Sequence, residues 1–298
     1  MKNNQYTPVK NYTGNFLLPQ GVVDYFELIR VNNLLILVFT IITAFFLSDS
    51  DFEPLYKTMV FLSACLIFAG GNVLNDYFDL TIDIINSPDR PLPSGRISPN
   101  YAKNIGIALL LSGVFLTYFL KRFHLIWASV SALLLFLYDA QLKKRLLVGN
   151  LIVAFLCGFI FIYAGGPPVN GALIFAALFA FLVHFAREII KDIVDMPGDV
   201  ILGARTIPIS WGTKTARVII AVDLILLLGI LFVPYLIGLF GVAYLYLNLF
   251  SIVPLLLIVL LEIMFGKPKP QKFRLLSLIL KIAMILGIVA LIAGRWWK

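Results

Sequence analysis

The chain has 298 residues, of which 60% are hydrophobic and 13% charged, with a mean hydropathy of +0.95 and a formal net charge of +8. Soluble domains carry about 45–50% apolar and about 25% charged residues, so a water-soluble globule is excluded; apolar runs of about 20 residues mark membrane spans, and because the runs are continuous rather than alternating, a transmembrane β-barrel is excluded too. The basic surplus reads as membrane topology with attraction to anionic lipid or phosphate, and no nucleic-acid partner is expected.

Residues 1–20 are polar and read as a flexible cytoplasmic tail ahead of a single membrane domain over 21–298; they carry no apolar core of a signal peptide, so no cleavable leader is expected. Nine spanning helices follow, over about 26–48, 56–80, 101–121, 124–142, 148–166, 171–195, 215–237, 240–265 and 273–296. Lys281 falls within the last and is expected to face the bundle or snorkel toward a surface. Cys65 and Cys157 lie in apolar runs and read as packing residues, and His124 and His184 form no zinc pattern. Of the 24 lysines and arginines, only Lys57, Lys121, Arg122, Arg295 and Lys298 fall across the membrane from the N-terminus. The positive-inside rule therefore predicts a cytoplasmic N-terminus and a C-terminus outside.

Two spans end in acids on the predicted cytoplasmic face. In "NDYFDLTID" the residues Asn75, Asp79 and Asp83 are spaced i, i+4, i+8, one stripe of a helix, with Asp76 on its flank. In "KDIVDMPGD" the residues Asp192, Asp195 and Asp199 are spaced i, i+3, i+7, although Pro197-Gly198 is expected to unwind the end so that Asp199 approaches from a loop. Each end is followed by a Gly/Pro/Arg loop, "RPLPSGR" and "GARTIPI", which suggests an internal four-helix repeat with a ninth helix added. One such cluster is equally well an ordinary solvated helix end. Two on one face, opposing the helix dipoles and repelling one another, call for positive charge.

Dense carboxylates with an amide oxygen suit a hard divalent cation, and Mg²⁺ takes one or two carboxylates while filling its remaining positions with water and substrate phosphate. Two or more Mg²⁺ ions bridging a diphosphate fit the two sets. Arg90 and Arg96 flank the stiff "PLPSG" turn, Arg205 holds the matching place in the second loop, and Lys143 and Lys144 follow Tyr138 at a cytoplasmic helix end. Guanidinium forks match phosphate oxygens, though plain topological anchoring also accounts for the lysines. A polyprenyl diphosphate has the matching shape, an anionic head on an apolar tail. Ionising its C–O bond leaves an allylic cation, so cations must hold the leaving diphosphate and the cavity must exclude water. The 25 Phe, 12 Tyr and 4 Trp could face that cation.

"NDYFDLTID" resembles the NDxxDxxxD motif of the UbiA superfamily of intramembrane prenyltransferases, and "DMPGD" its second, DxxxD motif. The resemblance covers essentially all of the chain after the tail. It implies an all-α bundle of nine transmembrane helices around a central cavity open laterally to lipid. It also implies Mg²⁺ between Asn75, Asp79 and Asp83 on one side and Asp195 and Asp199 on the other. "RVNN" resembles a first-helix RxxN pattern, pointing to Arg30 and Asn33 near the diphosphate; "YDAQLKK" points there with Tyr138, Lys143 and Lys144, and "GN" at Gly149-Asn150 also fits. "REIIKDIVDMPGD" with "GARTIPI" looks most like the ether-lipid branch, the digeranylgeranylglyceryl phosphate synthases, which attach a geranylgeranyl group to the hydroxyl of geranylgeranylglyceryl phosphate; that context adds Lys191. Asp76 or Asp192 would take the hydroxyl proton. An aromatic acceptor of quinone, tocopherol or chlorophyll type is the alternative, and a transporter the remaining one. Oligomeric state is not legible in the sequence.

Overall fold

In a computed structural model the chain is described over residues 19–201, 203–267 and 269–297, and all regular structure there is helical. The elements are α1 (Gln20–Leu28), α2 (Val31–Leu47), α3 (Pro54–Phe78), α4 (Leu80–Asn86), α5 (Pro99–Leu116), α6 (Arg122–Ala140), α7 (Val148–Gly165), α8 (Gly171–Ile201), α9 (Ile207–Ser210), α10 (Gly212–Ile230), α11 (Val233–Leu236), α12 (Val242–Leu247), α13 (Val253–Phe265) and α14 (Pro270–Trp296). Pro54, Pro99 and Pro270 each occupy the first helical turn, where a missing N–H costs nothing. The Ser98 side chain caps α5 by accepting from the Tyr101 amide at 3.3 Å.

Among the described residues eight helices are long and apolar enough to cross a membrane, and α1 with α2, bent by 55°, makes a ninth. The expected polytopic all-α architecture is what the chain adopts. The main core runs through α2, α3, α7, α8, α10, α13 and α14, and includes Ile41, Leu74, Leu173, Ile189, Ile220, Leu256 and Leu280. A smaller core of Leu28, Val73, Leu92, Ile97 and Ala102 pins α1 and the loop after α4 onto the end of α3.

Small residues bring α3 and α5 together, as lipid-embedded packing requires. A Cβ on Gly70 would lie 2.8 Å from the carbonyl oxygen of Gly106 and 2.9 Å from the Leu110 nitrogen; one on Gly113 would lie 2.9 Å from the Ser63 carbonyl oxygen. Backbone cannot step aside as a side chain can. Gly70→Ala is therefore expected to destabilise the fold by about 1–3 kcal/mol, read as a fall in thermal unfolding temperature in detergent. An unchanged midpoint would mean that the α3–α5 contact is looser than these distances imply.

Several predicted boundaries move, each for a local reason. The first span does not begin at 26: α1 is already formed from Gln20, and the chain breaks at Arg30, which is left-handed at φ 55°, ψ 59°. The second stops at Phe78, where Asp79 (φ −90°, ψ 1°) separates α3 from α4, although the Asp79 and Asp83 amides still donate four residues back, to Asn75 and Asp79. The expected unwinding at Pro197 does not occur; α8 runs through it to Ile201 and carries Asp199 on the helix. The seventh span is α10 followed by the short α11, and the eighth is interrupted by a π-helical turn over Asn248–Ile252, just ahead of Pro254. Residues 1–18 of the expected tail, and Leu202, Pro268 and Lys298, lie outside the described residues.

Candidate active site

The buried end of α3 delivers Asn75 and Asp76 to the point where α1 gives way to α2. Arg30, held by its left-handed backbone at that break, donates to Asp76 Oδ1 at 2.6 Å and to Asn75 Oδ1 at 2.7 Å. Asp76 is 4% exposed, so its charge needs this partner. Asp139, at the C-terminal end of α6, fixes the other side of the same amide: Asn75 Nδ2 donates to Asp139 Oδ1 at 2.8 Å. Asn75 thus presents its oxygen on the side of Arg30.

Asp79, on the kink between α3 and α4, takes an ion pair from Lys143 Nζ at 2.5 Å. One turn on, Asp83 pairs with Arg90 at 2.8 Å, and Arg90 also lies 3.8 Å from Asp76. Burial pushes the Asp83 carboxyl above the usual carboxylate range; Arg90 pulls it down, and Asp79 and Asp76 add to the upward push. Three cations from three separate segments therefore hold the first acidic end together.

The short α4 packs against α8, so the two acidic ends stand at one end of the bundle. The charges of Lys191, Arg274 and Arg90 all reach Asp195, so the loop after the first acidic end acts on the second. Asp192 Oδ2 accepts from Asn150 Nδ2 at 2.8 Å, and Lys191 pairs with the buried Glu188 at 2.9 Å. Tyr138 sits within the field of Asp79, Asp139, Glu188 and Asp192. Asp195 is exposed and Asp199 half-buried.

Other expected members stand apart. Arg96 is turned away to α1, where its Nε donates to Asp24 Oδ1 at 2.8 Å and its terminal nitrogen to the Asp89 carbonyl at 2.9 Å. It braces α1 against the loop rather than joining the acidic ends. Arg205 is exposed in the turn after α8. Asn33 accepts from Lys281 Nζ at 2.9 Å. The side chain of Lys144 lies outside the described residues. Asp139, Glu188, Arg187 and Arg274 were not singled out in the sequence. Asp139 had a signal, a carboxylate inside the "YDAQLKK" stretch itself; the others lie in spans or loops where ordinary topology accounts for them.

Among the described residues no three acidic, histidine or cysteine side chains form a closed cation site. That is compatible with Mg²⁺, which needs only one or two protein carboxylates when phosphate completes its shell. The donor set is hard oxygen throughout, and the carboxylates of Asp79 and Asp83 are held by Lys143 and Arg90, cations that phosphate oxygens can draw away.

The UbiA prenyltransferase family matches residues 36–285 of the chain. A digeranylgeranylglyceryl phosphate synthase of Methanocaldococcus jannaschii is 36% identical over 273 residues, 91% of this chain and 95% of that protein. The enzyme of the same name from Methanococcus vannielii is 34% identical over 286 residues, 92% and 98% of the two chains. A solved structure described as giving insights into digeranylgeranylglyceryl phosphate synthase in membranes superposes with a TM-score of 0.75 at 33% identity, over 93% of this chain and 99% of the other. A UbiA homologue from Archaeoglobus fulgidus bound to DMAPP and Mg²⁺ shares the fold at 17% identity, TM-score 0.63, over 90% and 99%.

Proposed function

This chain belongs to the UbiA prenyltransferase family, and from that premise we propose that it transfers a geranylgeranyl group from its diphosphate to the hydroxyl of geranylgeranylglyceryl phosphate, with Mg²⁺ as cofactor, in ether-lipid synthesis. The protein is an integral membrane prenyltransferase. The observation that supports the reading is the packing of α4 on α8 at the end where Arg90, paired with Asp83, also acts on Asp195, with Arg30 and Lys143 holding Asn75, Asp76 and Asp79 nearby. The synthases from two methanogens at 34–36% identity support the acceptor, and the A. fulgidus homologue with DMAPP and Mg²⁺ supports the donor class and the metal. The count of basic residues supports an active site facing the cytoplasm.

Asn75, Asp79 and Asp83 on one side and Asp195 and Asp199 on the other would hold two or more Mg²⁺ ions, which supply Lewis-acid stabilisation of the leaving diphosphate. The chain's own residues do the rest. Lys143 and Arg90 exchange their carboxylates for diphosphate oxygens, with Arg30, Lys191 and Tyr138 around the same end. The C–O bond to the diphosphate breaks, the acceptor oxygen bonds to the prenyl carbon, and the hydroxyl proton passes to a carboxylate. Asp192 is the better placed acceptor for that proton, because Asp76 is already engaged by Arg30 and Arg90. The acids stand at helix ends on one side, which disfavours a transport path open to both.

Purified protein given labelled geranylgeranyl diphosphate, Mg²⁺ and a panel of acceptors is expected to prenylate geranylgeranylglyceryl phosphate. Turnover of an aromatic quinone, tocopherol or chlorophyll precursor alone would move the chain to the competing branch, and solute flux without transfer would remove it from both.

A further inference from the structure

The diphosphate machinery leaves one cationic group unused. Lys281 lies eleven residues into α14, about 16 Å along a helix that rises 1.5 Å per residue, at a depth where a charge is costly unless it is paired or faces a polar cavity. Its ammonium is held by the amide oxygen of Asn33 at 2.9 Å, an amide and not a carboxylate. The guanidinium of Arg187, from α8, lies within electrostatic range of it. Arg187 touches Glu188 at 3.3 Å, but Glu188 is shared with Lys191 at 2.9 Å, and the buried Nε of Arg187 has no hydrogen-bond partner among the described residues. Arg187 and Lys191 thus share one carboxylate, Lys281 is met by an amide, and an orphaned donor lies among them. A buried donor of this kind costs free energy until something accepts from it.

What lies beneath this group has the opposite character. A cavity of about 80 Å³ is walled by apolar side chains of α2, α7, α8, α10, α13 and α14. Ile36 and Thr40 follow Asn33 at helical spacing on α2, and Met284 and Ile288 follow Lys281 in the same way on α14; all four line the cavity, as does His184, one turn before Arg187. The cationic group is therefore its polar rim. Asn33 is three residues from Arg30, about 5 Å along the chain axis, so the rim adjoins the diphosphate end without sharing its residues.

We propose that Arg187, Lys281 and Asn33 bind the phosphate monoester of the lipid acceptor, with no more than the first carbons of its apolar chain directed at the cavity below. This rests on the reading of the acceptor as a phosphate-bearing lipid. It assigns the acceptor head group a site separate from the donor diphosphate and places its glycerol hydroxyl between the two. Charge-assisted contacts to phosphate are the strong ones, and arginine and lysine together match its oxygens as fork and point charge.

The test uses the full-length protein in nanodiscs of neutral lipid. In Lys281→Gln, and independently in Asn33→Ala, the KM for geranylgeranylglyceryl phosphate is expected to rise about ten- to a hundredfold, the size of one lost charge-assisted contact, while the KM for geranylgeranyl diphosphate stays within about twofold. Lys281→Arg should restore most of the loss. The wild type's preference for the phosphorylated acceptor over the same lipid without phosphate should vanish in Lys281→Gln. An equal rise in donor KM would overturn the proposal in favour of a second diphosphate contact. A defect that appears only in anionic-lipid nanodiscs would overturn it in favour of a bilayer head group. Thermal stabilisation by the phosphorylated lipid is measured alongside. If the wild type makes no product from this lipid, the acceptor reading falls; stabilisation lost in Lys281→Gln would still support the phosphate site, and no stabilisation of the wild type would overturn it.

Discussion

Asp79→Asn is expected to lower kcat by about a hundred- to a thousandfold, the range seen when one preorganised stabiliser of developing transition-state charge is removed, with Asp195→Asn close behind. Both carboxylates are proposed to hold Mg²⁺ against the leaving diphosphate, and an amide oxygen lacks the charge to do so. The two substitutions should part company in metal-free protein. Asp79 is ion-paired with Lys143, whose side chain is only 13% exposed, so its loss leaves a largely buried ammonium short of a partner and should cost about 1–3 kcal/mol. Asp195 is exposed, and the cations Lys191, Arg274 and Arg90 act on it against Glu188, so these contributions largely offset and its neutralisation should leave stability nearly unchanged. Initial rates at saturating Mg²⁺ and thermal unfolding in chelator check the pair. A large loss of metal-free stability in Asp195→Asn would assign that residue to the fold instead.

The spacing of Asn75, Asp79 and Asp83, and of Asp192, Asp195 and Asp199, was visible in the sequence because chemistry at a helix end leaves a local pattern. What those side chains grip was not visible, because it depends on which segments meet. Arg30 becomes the partner of Asp76 only because the chain reverses hand at that residue, and nothing in "LIRVNN" announces a left-handed arginine. Arg96 reads as the twin of Arg90 in sequence, yet the small core of Leu28, Leu92 and Ile97 draws α1 under it and Asp24 captures it. Pro197 signals a helix end by its own preference, but α8 is flanked by α9, α10 and α14, and tertiary packing overrides local propensity. Lys281 was legible as an anomaly, a charge inside a span, and only the approach of α2 and α8 shows what surrounds it.

Arg30→Ala is expected to cost about 3–5 kcal/mol of stability, the usual consequence of removing one partner from a buried ion pair, and to abolish activity with it. Asp76 is 4% exposed and its closest cation is Arg30 at 2.6 Å; Arg90, at 3.8 Å and also committed to Asp83, replaces only part of that field. The backbone contributes separately, because a non-glycine residue in left-handed geometry bears about 1–2 kcal/mol of strain. Alanine keeps that strain and glycine relieves it, so Arg30→Gly should be more stable than Arg30→Ala by about that amount while remaining just as inactive. The charge contribution is isolated by a second change: Asp76→Asn in the Arg30→Ala background should recover most of the lost stability, since the stranded carboxylate is then gone. Thermal unfolding of the four proteins in detergent and chelator reads the comparison. If Asp76→Asn recovers nothing, the two side chains are not coupled in the way their 2.6 Å contact implies, and the anchoring of the α1–α2 break to the end of α3 must come from the apolar contact of Leu28 with Val73 instead.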